Sequence, residues 1–174
     1  MAKSQKKLPK RIGGPYLATA VFCDSVVQGA DGAMSAVRII DRVTLNIPED
    51  APPDVPSAEK MLPINLWGLI SFKRGMSKKS HRVQLVIQSP TGDSQTLGES
   101  RIVFGNEPYS GANLRMNFHI LIKKGGLFWL DVIMDGVTVT SMPLQVSISR
   151  IPIETGMKDV TAKPAKSNKP AKSK

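Results

Sequence analysis

The chain has 174 residues, 24 Lys+Arg against 14 Asp+Glu, a single Cys and a formal charge of +10. This is the length of one ordinary domain; a globule of about 150 residues buries roughly 70% of its unfolded surface and needs no disulfide or metal staple. One Cys excludes an internal disulfide framework, and no apolar run approaches the ~18 residues of a membrane-spanning helix.

Residues 1–14 carry Lys3, Lys6, Lys7, Lys10 and Arg11 and no acid. They resemble the basic front of a signal peptide, but the apolar stretch Tyr16–Cys23 is too short, Asp24 follows it at once, and no small-residue cleavage site comes after. Ala20-Val21-Phe22 before Cys23 also lacks the small residues of a lipoprotein processing site. The expected location is the cytoplasm, where a lone reduced thiol is ordinary.

From residue 16 the dominant hydrophobic period is two, the signature of half-buried strands. The predicted strands are 16–27, 34–47, 61–73, 81–89, 95–104, 114–123, 127–134 and 137–149. Gln28–Ala33, with Gly29 and Gly32, closes the first hairpin. Pro48–Ala58 follows the second strand as a loop with four prolines and the acids Glu49, Asp50 and Asp54. The fourth strand alternates Val83, Leu85 and Ile87 with Arg82, Gln84 and Gln88, and ends at the turn Pro90–Asp93. Gly105–Ala112 is a loop that holds Tyr109. Leu114, Met116, Phe118, Ile120 and Ile122 then share one face, with Lys124–Gly126 as the next turn. Phe128, Leu130, Val132 and Met134 lead into Asp135-Gly136, the strongest short hairpin signal in the chain. Leu144, Val146 and Ile148 share a face of the last strand, and Pro143 marks a bulge or an edge there.

No sustained 3.6-residue stripe is present. The predicted fold is all-β, an antiparallel two-sheet sandwich, immunoglobulin-like in a loose sense, with about seven or eight strands; a closed barrel is the alternative. Its bounds are 15–157, between a disordered basic segment, 1–14, and a disordered tail, 158–174. In that tail KPAKS recurs at 163–167 and 169–173, a composition with nothing to bury against ordering entropy.

Charge divides along the same bounds. Each tail carries a net +5, and residues 15–157 hold 13 basic and 13 acidic residues. The pI near 9.9 thus describes a neutral body with two cationic extensions.

Ala20–Val26, with Cys23-Asp24 on the first strand, and then Gly32–Arg38, a Gly turn with Ser35 on the second strand, resemble the opening of a family of small bacterial proteins described as a domain of unknown function. The later half of that family is similar to Gly125–Met134, Asp135-Gly136 and a final Pro-Leu-x-Val strand, here Pro143–Val146. The resemblance covers about 16–150, excludes both tails, and implies a β-sandwich with no assigned catalytic residue or ligand.

Strand parity puts Asp24 on the face of Ala20, Phe22 and Val26, and Asp41 on the face of Val37, Ile39 and Val43. A buried carboxylate is costly unless paired, so the two are either site carboxylates or displaced outward by a bulge or an ion pair with Arg38 or Arg42. Cys23 lies beside Phe22 on an apolar strand, and neither His81 nor His119 is placed near it as a base, so it reads as buried and inert. No ligand spacing supports a metal; the acids of 49–54 lack the order of a calcium loop; Gly13-Gly14 precedes a strand where nucleotide motifs follow one. No cofactor is expected and the chain is expected not to be an enzyme.

The candidate polyanion-binding residues are Lys3, Lys6, Lys7, Lys10, Arg11, Lys163, Lys166, Lys169, Lys172 and Lys174. Flexible cations can contact phosphates without fixed geometry or sequence preference. The run Lys73, Arg74, Lys78, Lys79 and Arg82 is a weaker extension of that footprint, or simply a solvated loop. The alternatives are that the tails solubilise a neutral domain or rest on the acidic 49–54 loop. The expected function is a non-enzymatic interaction module with a protein partner and basic tails for nucleic acid or another polyanion. A self-associating assembly subunit is the alternative and an enzyme of unknown class the second alternative; membrane insertion is not expected.

Overall fold

A computed structural model describes residues 13–57, 59–77, 80–107 and 109–152. They form nine strands: β1 Tyr16–Gln28, β2 Met34–Ile39, β3 Arg42–Pro48, β4 Leu62–Lys73, β5 His81–Gln88, β6 Ser94–Ile102, β7 Gly111–Ile122, β8 Gly126–Met134 and β9 Val137–Ile151. No helix occurs among the described residues, and hence none long and apolar enough to cross a membrane. The predicted disordered tails fall outside the described residues, as do Lys78 and Lys79 of the basic run.

The strands make two sheets, one of four in the order β2-β1-β4-β7 and one of five in the order β3-β9-β8-β5-β6. The expected all-β class with two sheets holds; the details need two corrections. The predicted strand 34–47 is two strands, β2 and β3, in different sheets. Arg38 at φ 53° breaks the extended backbone just before the crossing, a conformation L-residues adopt only locally. The antiparallel expectation also fails at one pair, since β3 runs parallel to β9 from Arg42↔Gln145 to Pro48↔Ile151. After the crossing, β3 meets β9 from a strand of the opposite sheet, so a hairpin geometry does not constrain its direction.

One core joins the sheets. Phe22, Ile64, Leu66, Ile70, Phe72, Phe118, Ile120 and Ile122 come from the first; Val83, Leu85, Ile87, Ile102, Phe128, Leu130, Val132, Leu144 and Val146 come from the second. These are the inward positions of the two-residue period, and each large side chain so buried contributes about 1.5–3 kcal/mol. Register shifts at Leu85/Val86 and Val132/Ile133 insert bulges into the five-stranded sheet, which bend it; that sheet curls into a half-barrel. Asp135-Gly136 forms the turn foreseen from the sequence, with φ 50° and 83°, both in the positive region a two-residue hairpin demands.

Candidate functional site

The described members of the basic run have different fates. Lys73 is exposed at the end of β4. Arg82 is exposed but paired, with Nη2 2.5 Å from Glu99 Oε2; that hydrogen bond lowers the Glu99 carboxyl below its ordinary range and raises the Arg82 guanidinium. Arg74 is buried. The ten candidate cations of the tails lie outside the described residues.

Both parity-selected carboxylates are exposed, the outward alternative of the two the sequence left open. Asp24 accepts from Arg38 Nη1 at 2.8 Å, its direct cross-strand neighbour in the β1–β2 register. Asp41 sits at the crossing between sheets, where strand parity ends, and its carbonyl accepts from Gln145 N at 2.9 Å. It borders a recess of about 120 Å³, room for a few waters at ~30 Å³ each. Cys23 is fully buried. Burial first, and the Asp24 charge second, push its thiol above the ordinary value, the opposite of what a nucleophile needs. His119 is exposed on β7 and bonds Asn65 Oδ1 through Nδ1 at 2.7 Å.

A polar cluster forms where β4 ends, β5 begins, β6 ends and β8 turns into β9. The antiparallel pairings of β5 with β6 and β8 bring those termini to one end of the molecule. His81 is the hub. Its Nδ1 is 2.6 Å from Asp135 Oδ2 and its Nε2 2.7 Å from Ser77 Oγ. In the neutral ring Nδ1–H donates to the carboxylate and the hydroxyl donates to Nε2. The ring stands edge-on to Phe104, with centroids 6.0 Å apart. Asp135 is held in turn, since Oδ1 accepts from Arg82 N and its own N–H donates to Arg82 O, both at 2.9 Å. Arg74 Nε donates to Ser77 O at 2.6 Å, and Nη1 donates to Gly105 O at 3.0 Å and to Asn106 O.

Hydroxyl, imidazole and carboxylate in this order are the connectivity of a nucleophile, its base and an orienting acid. The remaining requirement is a pair of donors for a developing oxyanion. Here the N–H groups of Met76 and Ser77 donate to Gly13 O at 3.1 Å and Arg74 O at 3.2 Å. Those two donors are committed, and the Ser77–His81–Asp135 bonds fasten the β4–β5 loop to the β8–β9 turn as a clamp. The cluster was not visible in the sequence: His81 and Asp135 are 54 residues apart, and the sequence marked its members separately, Asp135 in a turn, Arg74 and Arg82 in a basic run, and His81 as a base with no partner.

Beside the clamp lies a recess of about 270 Å³ lined by Arg74, Phe104, Gly105 and Asn106. A larger one, about 380 Å³, opens at the other end between the β5–β6 and β7–β8 turns, over Ile87, Ile120 and Phe128. Among the described residues no group of three or more His, Cys, Asp or Glu could hold a metal ion.

The outer face of the four-stranded sheet is apolar on one side. The pairings Ile39↔Cys23↔Trp67 and Val21↔Leu69 put these residues on the face opposite Phe22 and Ile70, because cross-strand partners share a face. Ile39, on the edge strand β2, is 62% exposed, and Val37 and Val27 are also exposed. Arg115 lies over the Trp67 ring at 5.6 Å.

The body engages several of its own cations. Arg38, Lys60 and Arg82 pair with Asp24, Asp54 and Glu99. Arg150 donates to the carbonyls of Glu49, Ala51 and Pro52, fastening the proline-rich loop.

No protein-family model matches the chain, and no curated protein matches it. Among solved structures it is similar to a β-glucosidase from Listeria innocua in complex with glucose, at 9% identity and a TM-score of 0.44, over 80% of this chain and 17% of the enzyme. The same enzyme in complex with isofagomine aligns at 10% identity and a TM-score of 0.40 over the same shares. The chain thus spans 17% of the length of these structures, and likeness at this level assigns no activity.

Proposed function

We propose that the protein is a non-enzymatic interaction module, an immunoglobulin-like β-sandwich body whose two cationic tails attach it to nucleic acid or another polyanion. The observation that carries this reading is where the charge goes. Residues 15–157 are formally neutral, and within the body Arg38, Lys60, Arg74, Arg82 and Arg150 are already held by carboxylates or carbonyls. The net positive charge of the chain therefore lies on the tails, five cations in 1–14 and six against Asp159 in 158–174. The immunoglobulin-like part is supported by strand order. β4 and β7 stand as B and E on one sheet; β9-β8-β5-β6 stand as G-F-C-C′ on the other, with β3 beside the last strand. Membership of the bacterial family of unknown function and a cytoplasmic location complete the proposal.

The test is fluorescence anisotropy with duplex DNA across a salt series. If about six cations contact phosphates together, the log–log slope is near −5. Removal of 158–174 should reduce that slope by roughly half. Binding that ignores salt, or that survives tail removal unchanged, overturns the reading.

A second reading is favoured by β2, an edge strand with Val37 and Ile39 exposed beside Val27. An open apolar edge pairs readily with another strand, and antiparallel pairing of two β2 strands is self-complementary, as a two-fold dimer requires. Light scattering after size exclusion at two concentrations checks it; a dimer that Ile39→Lys dissociates supports assembly, and a monomer throughout removes it.

A further inference from the structure

Besides the Cys23 thiol, Arg74 and His81 are the buried polar or charged side chains among the described residues, and Arg74 is only 7% exposed. A buried cation ordinarily needs a counter-charge, because attraction in the interior must offset several kcal/mol of lost hydration. No carboxylate of the described residues lies within ion-pair distance of Arg74. Carbonyl oxygens of Ser77, Gly105 and Asn106 take the hydrogens of Nε and Nη1. They solvate the charge without neutralising it. Nη2 has no acceptor among these bonds, yet no buried side-chain nitrogen or oxygen in the described structure lacks a partner. Nη2 is therefore not fully enclosed, and Arg74 lines the recess beside the clamp.

We propose that this recess binds a small oxyanion, a carboxylate or a phosphate, with one oxygen on Arg74 Nη2 and a second contact to the Asn106 side-chain amide. The proposal is independent of the tails and of the polyanion reading. With Nε and Nη1 committed, the guanidinium cannot offer its two-pronged fork, so the contact is to a single oxygen. The volume, about 270 Å³, falls below the ~300–1,000 Å³ of pockets that bury drug-sized ligands, which limits the ligand to a small acid. Phe104 also lines the recess and stands edge-on to His81, and the lining is mostly polar, as an anion needs. Two further donors are at hand, since the backbone N–H groups of Gly105 and Asn106 donate no hydrogen bond to the described chain. The clamp has a role in this arrangement: Ser77, tied to His81, presents the carbonyl that holds Arg74 Nε in place.

The experiment is a titration of the full chain, labelled with nitrogen-15, followed through the Arg74 Nε–Hε signal and the Gly105 and Asn106 amides. Sodium acetate and inorganic phosphate are the probes, with sodium chloride at matched ionic strength as reference. The expected result is a saturable one-site movement of these three signals with a millimolar Kd. Saturation by acetate alone assigns a carboxylate and by phosphate alone a phosphate. Asn106→Ala, an exposed loop change that leaves the fold in place, should weaken binding about threefold to tenfold, the equivalent of one hydrogen bond. Arg74→Lys should weaken it at least that much. Saturation by neither probe, chloride shifts equal to those of the probes, or an Asn106→Ala protein that binds as before with Arg74 unmoved would overturn the proposal.

Discussion

At the scale of single residues, environment decides reactivity more than residue type does. Cys23 is a thiol beside a carboxylate, which in another setting could mean chemistry. Here burial and the Asp24 charge both favour the protonated form. Its pKa is raised in the folded state, so the contribution to stability is complete below the unfolded value, ordinarily 9.0, and is lost as pH rises through the folded one. Denaturant unfolding should show a fall in stability above about pH 9 that Cys23→Ala removes; native protein should react with iodoacetamide far more slowly than unfolded protein. The clamp gives the second prediction. His81→Ala deletes bonds to Ser77 and Asp135 and the contact with Phe104, and should cost about 2–4 kcal/mol, as loss of a buried network does. If the clamp is all that the cluster does, a fluorophosphonate probe leaves Ser77 unlabelled, and labelling that Ser77→Ala abolishes would show a nucleophile instead. The site was hardly legible in the sequence because its parts meet only in the fold. Arg74 read as one of five loop cations, and nothing local distinguishes it from Arg82, which is exposed and paired on the other side of the same turn.

At the scale of elements, period-two alternation found nearly every strand because each has one face on a shared core. It failed where the chain leaves one sheet for the other. Val37 and Ile39 belong to β2 and Val43, Leu45 and Ile47 to β3, and apolar residues at even spacing on both sides of Asp41 made one strand of two. Parity carries information only within a sheet, so the face that Asp41 was assigned with Val37, Ile39 and Val43 was drawn across a break that alternation does not register. Packing between β4 and β7 yields a sharper prediction. Gly68 pairs with Met116, and a Cβ there would come within 2.4 Å of Phe118 Cε2. Phe118 cannot yield freely, being buried and edge-on to Phe22 with centroids 5.9 Å apart. Gly68→Ala should therefore destabilise by about 1–3 kcal/mol, the usual cost of overpacking, seen as a lower denaturant midpoint with an unchanged slope. The sequence carries a Gly in mid-strand at this position, a recognised mark of close approach, but not which ring fills the space.

At the scale of the whole molecule, the question is what eleven terminal cations do for a body that has no net charge of its own. Two answers make different demands. If the tails solubilise, their effect is colloidal: a body with 13 positive and 13 negative residues sits near its isoelectric point at pH 7, where association is favoured. If they attach the body to a polyanion, their effect is on binding and depends on the number of contacts and on salt. The two separate in one comparison, of the full chain with residues 15–157, by static light scattering without DNA and anisotropy with it. The polyanion reading predicts that the shortened chain loses DNA binding while it remains monodisperse, because the body is formally neutral, pairs charges such as Arg82–Glu99 and Arg38–Asp24 on its surface, and buries a core drawn from both sheets. Aggregation of the shortened chain, with a full-length chain that binds no DNA even at low salt, would instead make the tails a solubilising device and leave the apolar face around Ile39 as the surface they protect.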